Sequence, residues 1–257
     1  MTSNFPPAAL LILGALLVPF FRGKAKSYYV ILLPAAAFFL VFQLEPGTSL
    51  QTHFFGFDIT FLRVDKLSKA FGYIFTLNAF AAFIYAFYLK DNTQHMAALF
   101  YIGSSLGVVF AGDLVSLYFF WEVMAVASTF LILARKTDKA QAAGMRYIMF
   151  HVFGGLCLLA GIALYISETG SIAFNAMADG NWGTYLILIG FLVNAAAPPF
   201  SAWLPDAYPE ATVTGGVILS AYTTKTAVYT LVRGFPGWEI LIWIGCIMTI
   251  YGIIYAL

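Results

Sequence analysis

Apolar residues in this chain run in long blocks rather than alternating singly with polar ones. Nine blocks stand out, at residues 5–21, 28–44, 67–89, 96–111, 114–134, 145–167, 182–197, 212–232 and 238–257. A membrane-spanning helix needs about 20 mostly apolar residues. The pattern therefore predicts an all-α polytopic membrane protein with about nine transmembrane helices. The fourth block is short and stops at Gly112 and Asp113, a turn signal. Between the second and third blocks, residues 53–64 alternate aromatic and polar side chains around Gly56. This stretch predicts a short surface β-hairpin.

Composition agrees with a membrane class. The chain of 257 residues is 61% hydrophobic and 10% charged, whereas soluble domains carry about 45–50% and 25%. A net charge of +1, with no basic stripe interleaved with aromatics, argues against a nucleic-acid partner. Cys157 and Cys246 fall inside apolar blocks without metal-ligand or redox spacing. They are expected to be small buried hydrophobes. The first apolar stretch has no basic residue before it, and Arg22, Lys24 and Lys26 follow it. That order fits an uncleaved first helix rather than a secretory signal. A second basic cluster, Arg135, Lys136 and Lys139 with Arg146 beyond, lies two loops after the neutral Lys90–Asp91 pair; the sixth loop holds Glu168 and Asp179 and no base. Alternating the loops puts both clusters on one side, the cytoplasm by the positive-inside rule, and the N-terminus outside. The apolar run up to Leu257 carries no polar anchor, which points to a sequence truncated at its C-terminus.

Charge inside the blocks carries the candidate chemistry. Glu122 lies midway along the fifth block and Lys225 lies in the eighth. A charge at the bilayer centre costs about 2.5–3.5 kcal/mol or more, so such residues normally face a bundle interior or a water path. Glu122 reads either as a proton carrier or as an acid hydrogen-bonded to a neighbouring helix. Asp113, about 13 Å before it along the helix, reads as a helix cap before it reads as a proton acceptor. Lys225 is too central to snorkel to the surface, and a lysine whose carboxylate partner comes and goes is a proton switch. His151, in the sixth block, is either a hydrogen-bonded structural group or a relay. Pro198 and Pro199 must interrupt the seventh helix. Interrupted helices at membrane depth occur inside protein or beside water-filled cavities. Asn194 just before the break orients water without storing a proton. The polar stretch that follows, with Asp206 and Glu210, is either part of that broken helix or simply a loop. No nucleotide-binding, hydrolase or metal motif accompanies these residues, and no cofactor or metal is expected.

Taken together these segments resemble a known family. Asp113-Leu114 through Trp121-Glu122, the run Ala197-Pro198-Pro199-Phe200-Ser201-Ala202-Trp203-Leu204-Pro205-Asp206-Ala207, Thr224-Lys225 through Arg233, and Asp65 in Val64-Asp65-Lys66-Leu67-Ser68 look like the proton-translocating antiporter family. That family holds the D-type member of Mrp-type cation/proton antiporters and the antiporter-like subunits of respiratory complex I; the tryptophan-centred segment continuing to Tyr208-Pro209-Glu210-Ala211 looks most like the Mrp D type. The resemblance implies a fold of about 14 helices with two inverted five-helix repeats. This chain would hold an N-terminal three-helix region (1–94), the first repeat (95–235) and the start of the next helix (236–257). It also implies that Glu122 modulates a lysine on the seventh helix and that Lys225 passes the proton towards the centre. One position departs from the pattern: the family usually carries lysine nine residues before the motif tryptophan, and here that residue is Asn194. The implied activity is monovalent cation (Na+)/proton antiport by one membrane component of a hetero-oligomeric complex in a bacterial-type plasma membrane. The alternatives are a proton-pumping component of a redox complex, such as NADH:quinone oxidoreductase or a membrane-bound hydrogenase, and a non-conducting scaffold paralogue. The implied partners are other membrane subunits, protons, monovalent cations and lipid.

Overall fold

The computed structural model describes residues 5–54 and 56–256. Helices dominate: α1 (Pro7–Leu17), α2 (Gly23–Gln43), α3 (Lys66–Tyr85), α4 (Asn92–Phe110), α5 (Leu114–Leu133), α6 (Asp138–Thr169), α7 (Trp182–Asn194), the one-turn α8 (Trp203–Ala207), α9 (Val213–Gly234) and α10 (Glu239–Ala256). Four of them, α2, α3, α5 and α6, are long and apolar enough to cross a membrane, and α1, α7 and α10 are shorter apolar helices. The hairpin pairs β1 (Ser49–Phe54) antiparallel with β2 (Phe57–Arg63). It starts four residues earlier than the aromatic alternation suggested, because β1 is exposed along its whole length and carries no burial pattern.

Side-chain caps set the helix starts. Asp65, Asp91, Asp113, Thr137, Asn181 and Thr212 each accept a hydrogen bond from a backbone N–H in the first turn of the helix that follows. These bonds satisfy donors that would otherwise be orphaned at a helix end. The cap at Thr137 starts α6 seven residues before its apolar block. His151 therefore lies 13 residues into the helix, about 20 Å along its axis, deeper than the block edge at 145 implied.

Glycines decide how closely α6 and α7 approach. A Cβ on Gly161 would sit 2.6 Å from the backbone N of Ile187, one on Gly183 would sit 2.6 Å from the N of Tyr165, and one on Gly190 would sit 2.9 Å from the O of Gly154. Small residues at this seven-residue spacing let two backbones meet without side chains between them, the usual device where helices gain little from hydrophobic burial. The seam fixes the end of α7 against the middle of α6.

Hydrogen bonds gather the loops into two groups, one at each end of the bundle. At one end Lys26 Nζ donates to the carbonyl of Lys90 and, at 2.7 Å, to Asn92 Oδ1. Thr212 Oγ1 donates to Gln94 Oε1 at 2.8 Å, and Arg135 donates to the carbonyl of Pro209 at 2.7 Å. This end collects both basic clusters. At the other end Arg63 donates to the carbonyl of Phe174 at 2.6 Å, and Arg233 pairs with Asp65 at 2.5 Å. Neither cysteine is buried as expected: Cys157 is half-exposed and Cys246 is exposed on α10. The apolar block around Cys246 thus signals outward-facing surface there rather than core.

Candidate functional site at the interrupted helix

α7 is 13 residues long, about 20 Å, too short to cross a hydrocarbon core of about 30 Å. It ends in a reversal built from three bonds: Ala195 N to Phe191 O at 2.9 Å, Ala196 N to Val193 O at 3.1 Å and Ala197 N to Leu192 O at 3.0 Å. Ala196 holds φ at +58°. This is the Schellman geometry, with alanine in the left-handed position that glycine normally takes, at a cost of about 1 kcal/mol. Pro198 and Pro199 follow, so the helix cannot resume at once. The chain then forms a 3-10 turn at Phe200–Ala202, α8, and a second 3-10 turn at Tyr208–Glu210. Asp206 and Glu210 thus sit on short helical turns rather than in an open loop. Trp203 Nε1 donates to the carbonyl of Val193 at 2.9 Å and pins this segment back onto α7. Ala195, Ala197, Ser201, Trp203 and Ala207 are all buried, which is the condition under which non-helical backbone survives at membrane depth.

Three of the polar residues predicted from sequence converge on one stretch of α6. His151 is fully buried, stacks on Tyr147 with ring centroids 4.0 Å apart, and meets the edge of Trp203 at 4.8 Å. Its Nδ1 lies 2.9 Å from the carbonyl of Tyr147. A carbonyl only accepts, so the proton of the neutral ring sits on Nδ1 and leaves Nε2 a bare acceptor. Nε2 is buried and has no partner. One turn on, Gly154 faces Asn194, whose amide O and N are both buried without hydrogen bonds. The next residue, Gly155, faces Glu122: a Cβ there would lie 2.2 Å from Glu122 Oε1. That oxygen is also buried and unpartnered. The Gly154–Gly155 pair is thus a notch that admits a carboxylate from α5 on one side and an amide from α7 on the other. Glu122 also lines an apolar groove of about 530 Å³ between α4 and α5, walled by residues such as Phe100, Val126 and Phe130.

The remaining candidates lie elsewhere. Lys225 is exposed on α9, and its ammonium donates to the carbonyl of Ser220 at 2.7 Å and to Thr224 Oγ1 at 3.2 Å, both on its own helix. It meets neither Glu122 nor His151 among these bonds. Asp113 caps α5: it accepts from Ser116 N, from Ser116 Oγ and from Thr60 N, each at 2.7 Å. Asp206 forms a two-pronged pair with Arg146, both contacts at 2.8 Å. The Arg146 guanidinium holds its carboxyl below the usual range. Glu210 pairs with Arg135 at 3.4 Å.

Sequence reasoning passed over a set of hydroxyls. Tyr101, Ser128, Tyr147 and Thr223 are buried side by side, brought in by α4, α5, α6 and α9. Tyr101 OH and Thr223 Oγ1 are 2.6 Å apart, and Tyr147 OH donates to Ser128 Oγ at 2.9 Å. Unlike a lysine in an apolar block, each is commonplace in its own segment, so only their convergence marks them.

Comparison with known proteins agrees with this architecture. Residues 111–257 match the family described as NADH:quinone oxidoreductase/Mrp antiporter, TM. An A-type Na(+)/H(+) antiporter subunit from Alkalihalophilus pseudofirmus is 28% identical over 86% of this chain and 31% of its own length. A putative antiporter subunit mnhA2 from Staphylococcus aureus is 29% identical over 97% of this chain and 36% of its own. The chain thus spans about a third of the length of these curated relatives, and they are A-type subunits rather than the D type its tryptophan motif suggested. Its fold superimposes on a chain of the Mrp complex from Dietzia sp. with a TM-score of 0.80 at 24% identity, over 88% of this chain and 27% of that one. With more than half of its residues inside the matched region, the chain belongs to the NADH:quinone oxidoreductase/Mrp antiporter transmembrane family.

Proposed function

We propose that this chain is an antiporter-type membrane component of a multi-subunit monovalent cation (Na+)/proton antiporter, of the A type named for its relatives. It carries protons along an intramembrane polar axis of Glu122, His151 and Lys225. The observation that supports this most directly is the notch on α6. Glu122 Oε1, His151 Nε2 and the Asn194 amide are all buried near Gly154 and Gly155 without hydrogen bonds. Unsatisfied polar atoms are costly, and in a polar site they hold water. Water beside a carboxylate and a neutral imidazole makes a proton path. Asn194 keeps that water at the helix break, and Lys225 hands the charge onward from the outer face of α9. In this reading nine segments cross the plasma membrane, α7 doing so only together with the short turns that follow it; the N-terminus is outside, residues 1–94 lead into an antiporter repeat at 95–235, and 236–257 opens the next segment.

The test is cation-driven proton movement in everted vesicles carrying the whole complex, comparing wild type with Glu122→Gln and Lys225→Ala. Loss of transport with normal assembly is the expected result. Wild-type rates in both variants would refute the axis and favour the scaffold role, for which the neutral Asn194 at the family's lysine position is the specific observation. The family also includes NADH:quinone oxidoreductase subunits. Iron–sulfur subunits encoded beside this chain would favour the redox-driven reading over the antiporter.

A further inference from the structure

Five separate elements send a hydroxyl to one buried point beside His151. Thr223 of α9 is its centre. Tyr101 OH accepts from Thr223 N at 2.7 Å and lies 2.6 Å from Thr223 Oγ1; Tyr147 OH lies 3.5 Å from the same Oγ1. Tyr147 passes on to Ser128, which donates to the carbonyl of Met124 at 2.8 Å. The fifth member is Tyr208, from the second 3-10 turn. Its hydroxyl is buried beside Tyr101, Tyr147 and Thr223 yet is in no hydrogen bond of good geometry. The next residue, Pro209, accepts from Arg135 at the end of the bundle that collects the basic clusters. Tyr208 is thus the cluster member whose turn meets the basic end, and the ring stacked against Tyr147 carries the bare acceptor Nε2 of His151.

Packing alone does not account for this convergence. Phenylalanine and valine fill the same volumes without burying polar atoms, and a buried hydroxyl is tolerated only at the cost of desolvation. We infer that the Tyr208–Thr223–Tyr147 cluster, supported by Tyr101 and Ser128, is a hydroxyl relay that brings protons from the basic end of the bundle to Nε2 of His151. The inference rests on the antiporter reading above. Each oxygen accepts a proton on a lone pair and releases the one it holds. One proton enters from water at Tyr208, and one leaves to neutral His151 to form the imidazolium, through water where no direct hydrogen bond spans the gap. The hydroxyls then rotate back, and nothing is oxidised or reduced.

The experiment uses the same vesicles and the whole complex, with Thr223→Val, Thr223→Ser and Tyr208→Phe beside Glu122→Gln. Valine keeps the shape of threonine without its hydroxyl; serine keeps the hydroxyl. Thr223→Val and Tyr208→Phe are expected to slow proton movement about tenfold or more, with a larger slowing in D2O than wild type shows and with normal assembly. Thr223→Ser is expected to stay within about twofold of wild type on the same reasoning. A threonine that only packs would give no rescue by serine, and one whose hydroxyl only holds Tyr101 would be rescued with no change in isotope effect; either result overturns the relay. Wild-type rates in both Thr223→Val and Tyr208→Phe overturn the relay whatever Glu122→Gln does. Wild-type transport in Glu122→Gln, with loss and serine rescue at position 223, would retain the relay and remove the glutamate axis instead.

Discussion

Gly155→Ala isolates the position of one carboxylate from the stability of the bundle. The added Cβ would lie 2.2 Å from Glu122 Oε1 and 3.1 Å from its Cδ. Non-bonded heavy atoms settle well beyond 3 Å apart, so the carboxylate must retreat by about 1 Å. The clashing atoms are the far end of a flexible side chain, not backbone. The helices therefore need not move, and stability should fall by less than the roughly 1–3 kcal/mol of a true overpacking substitution. A displacement of about 1 Å at a reacting group costs on the order of 100-fold in rate. Gly154→Ala is the matched control: its Cβ would meet Val193 at 3.0 Å and Asn194 Oδ1 at 3.5 Å, and nothing of Glu122 is among its near contacts. Transport in vesicles should drop about 10- to 100-fold in Gly155→Ala and far less in Gly154→Ala, at equal assembly. The decisive arm is the double variant with Glu122→Gln. If Gly155 acts only by seating the carboxylate, adding the alanine to the glutamine variant should cost nothing more. Wild-type transport in Gly155→Ala, or full additivity in the double variant, would refute the reasoning.

Two further predictions concern the ends of the helices. Asp113→Ala should lower stability in detergent by about 2–3 kcal/mol, since it removes a cap and leaves the buried Thr60 N–H and Ser116 hydroxyl without acceptor. Asp113→Asn keeps an acceptor and should keep transport; loss of transport in an assembled Asn variant would give Asp113 a titrating role. Asp206→Asn breaks the tie between α6 and α8. The carboxyl of Asp206 is depressed by Arg146, so its stabilising contribution is present above the unfolded aspartate value of about 3.9 and is lost as pH falls through the lower folded value. Thermal unfolding should therefore separate wild type from the Asn variant at pH 5–7, and the difference should shrink as pH falls below the ordinary aspartate range. A constant difference down to pH 2 would contradict the ion-pair account.

How much of the site was legible in advance varied with the kind of signal. Glu122, His151 and Asn194 were visible because a polar residue in an apolar block is rare and expensive, and the prolines at 198 and 199 announced the break because their ring chemistry acts within one turn. The hydroxyl cluster was not visible: its members span positions 101 to 223, and tyrosine or threonine in a helix raises no alarm. The outward aim of Lys225 was not visible either. α9 is apolar or small on most sides, and the charge itself says only that some face must accommodate it.

By itself the sequence determined the membrane class, the approximate place of the long apolar helices, the cap at Asp113 and the interruption after Asn194. All of these follow from local rules: the thickness of the bilayer, the need to satisfy backbone donors at helix ends, and the geometry of proline. Only the tertiary structure decided which faces meet. A helix that is apolar nearly all round carries little periodic signal to fix its rotation. The seating of Glu122 against Gly155, the approach of Asn194 to Gly154, and the meeting of Tyr101, Tyr147 and Thr223 all depend on rotation and on backbone approach through glycine seams. Those are properties of pairs of helices, and no single segment contains them.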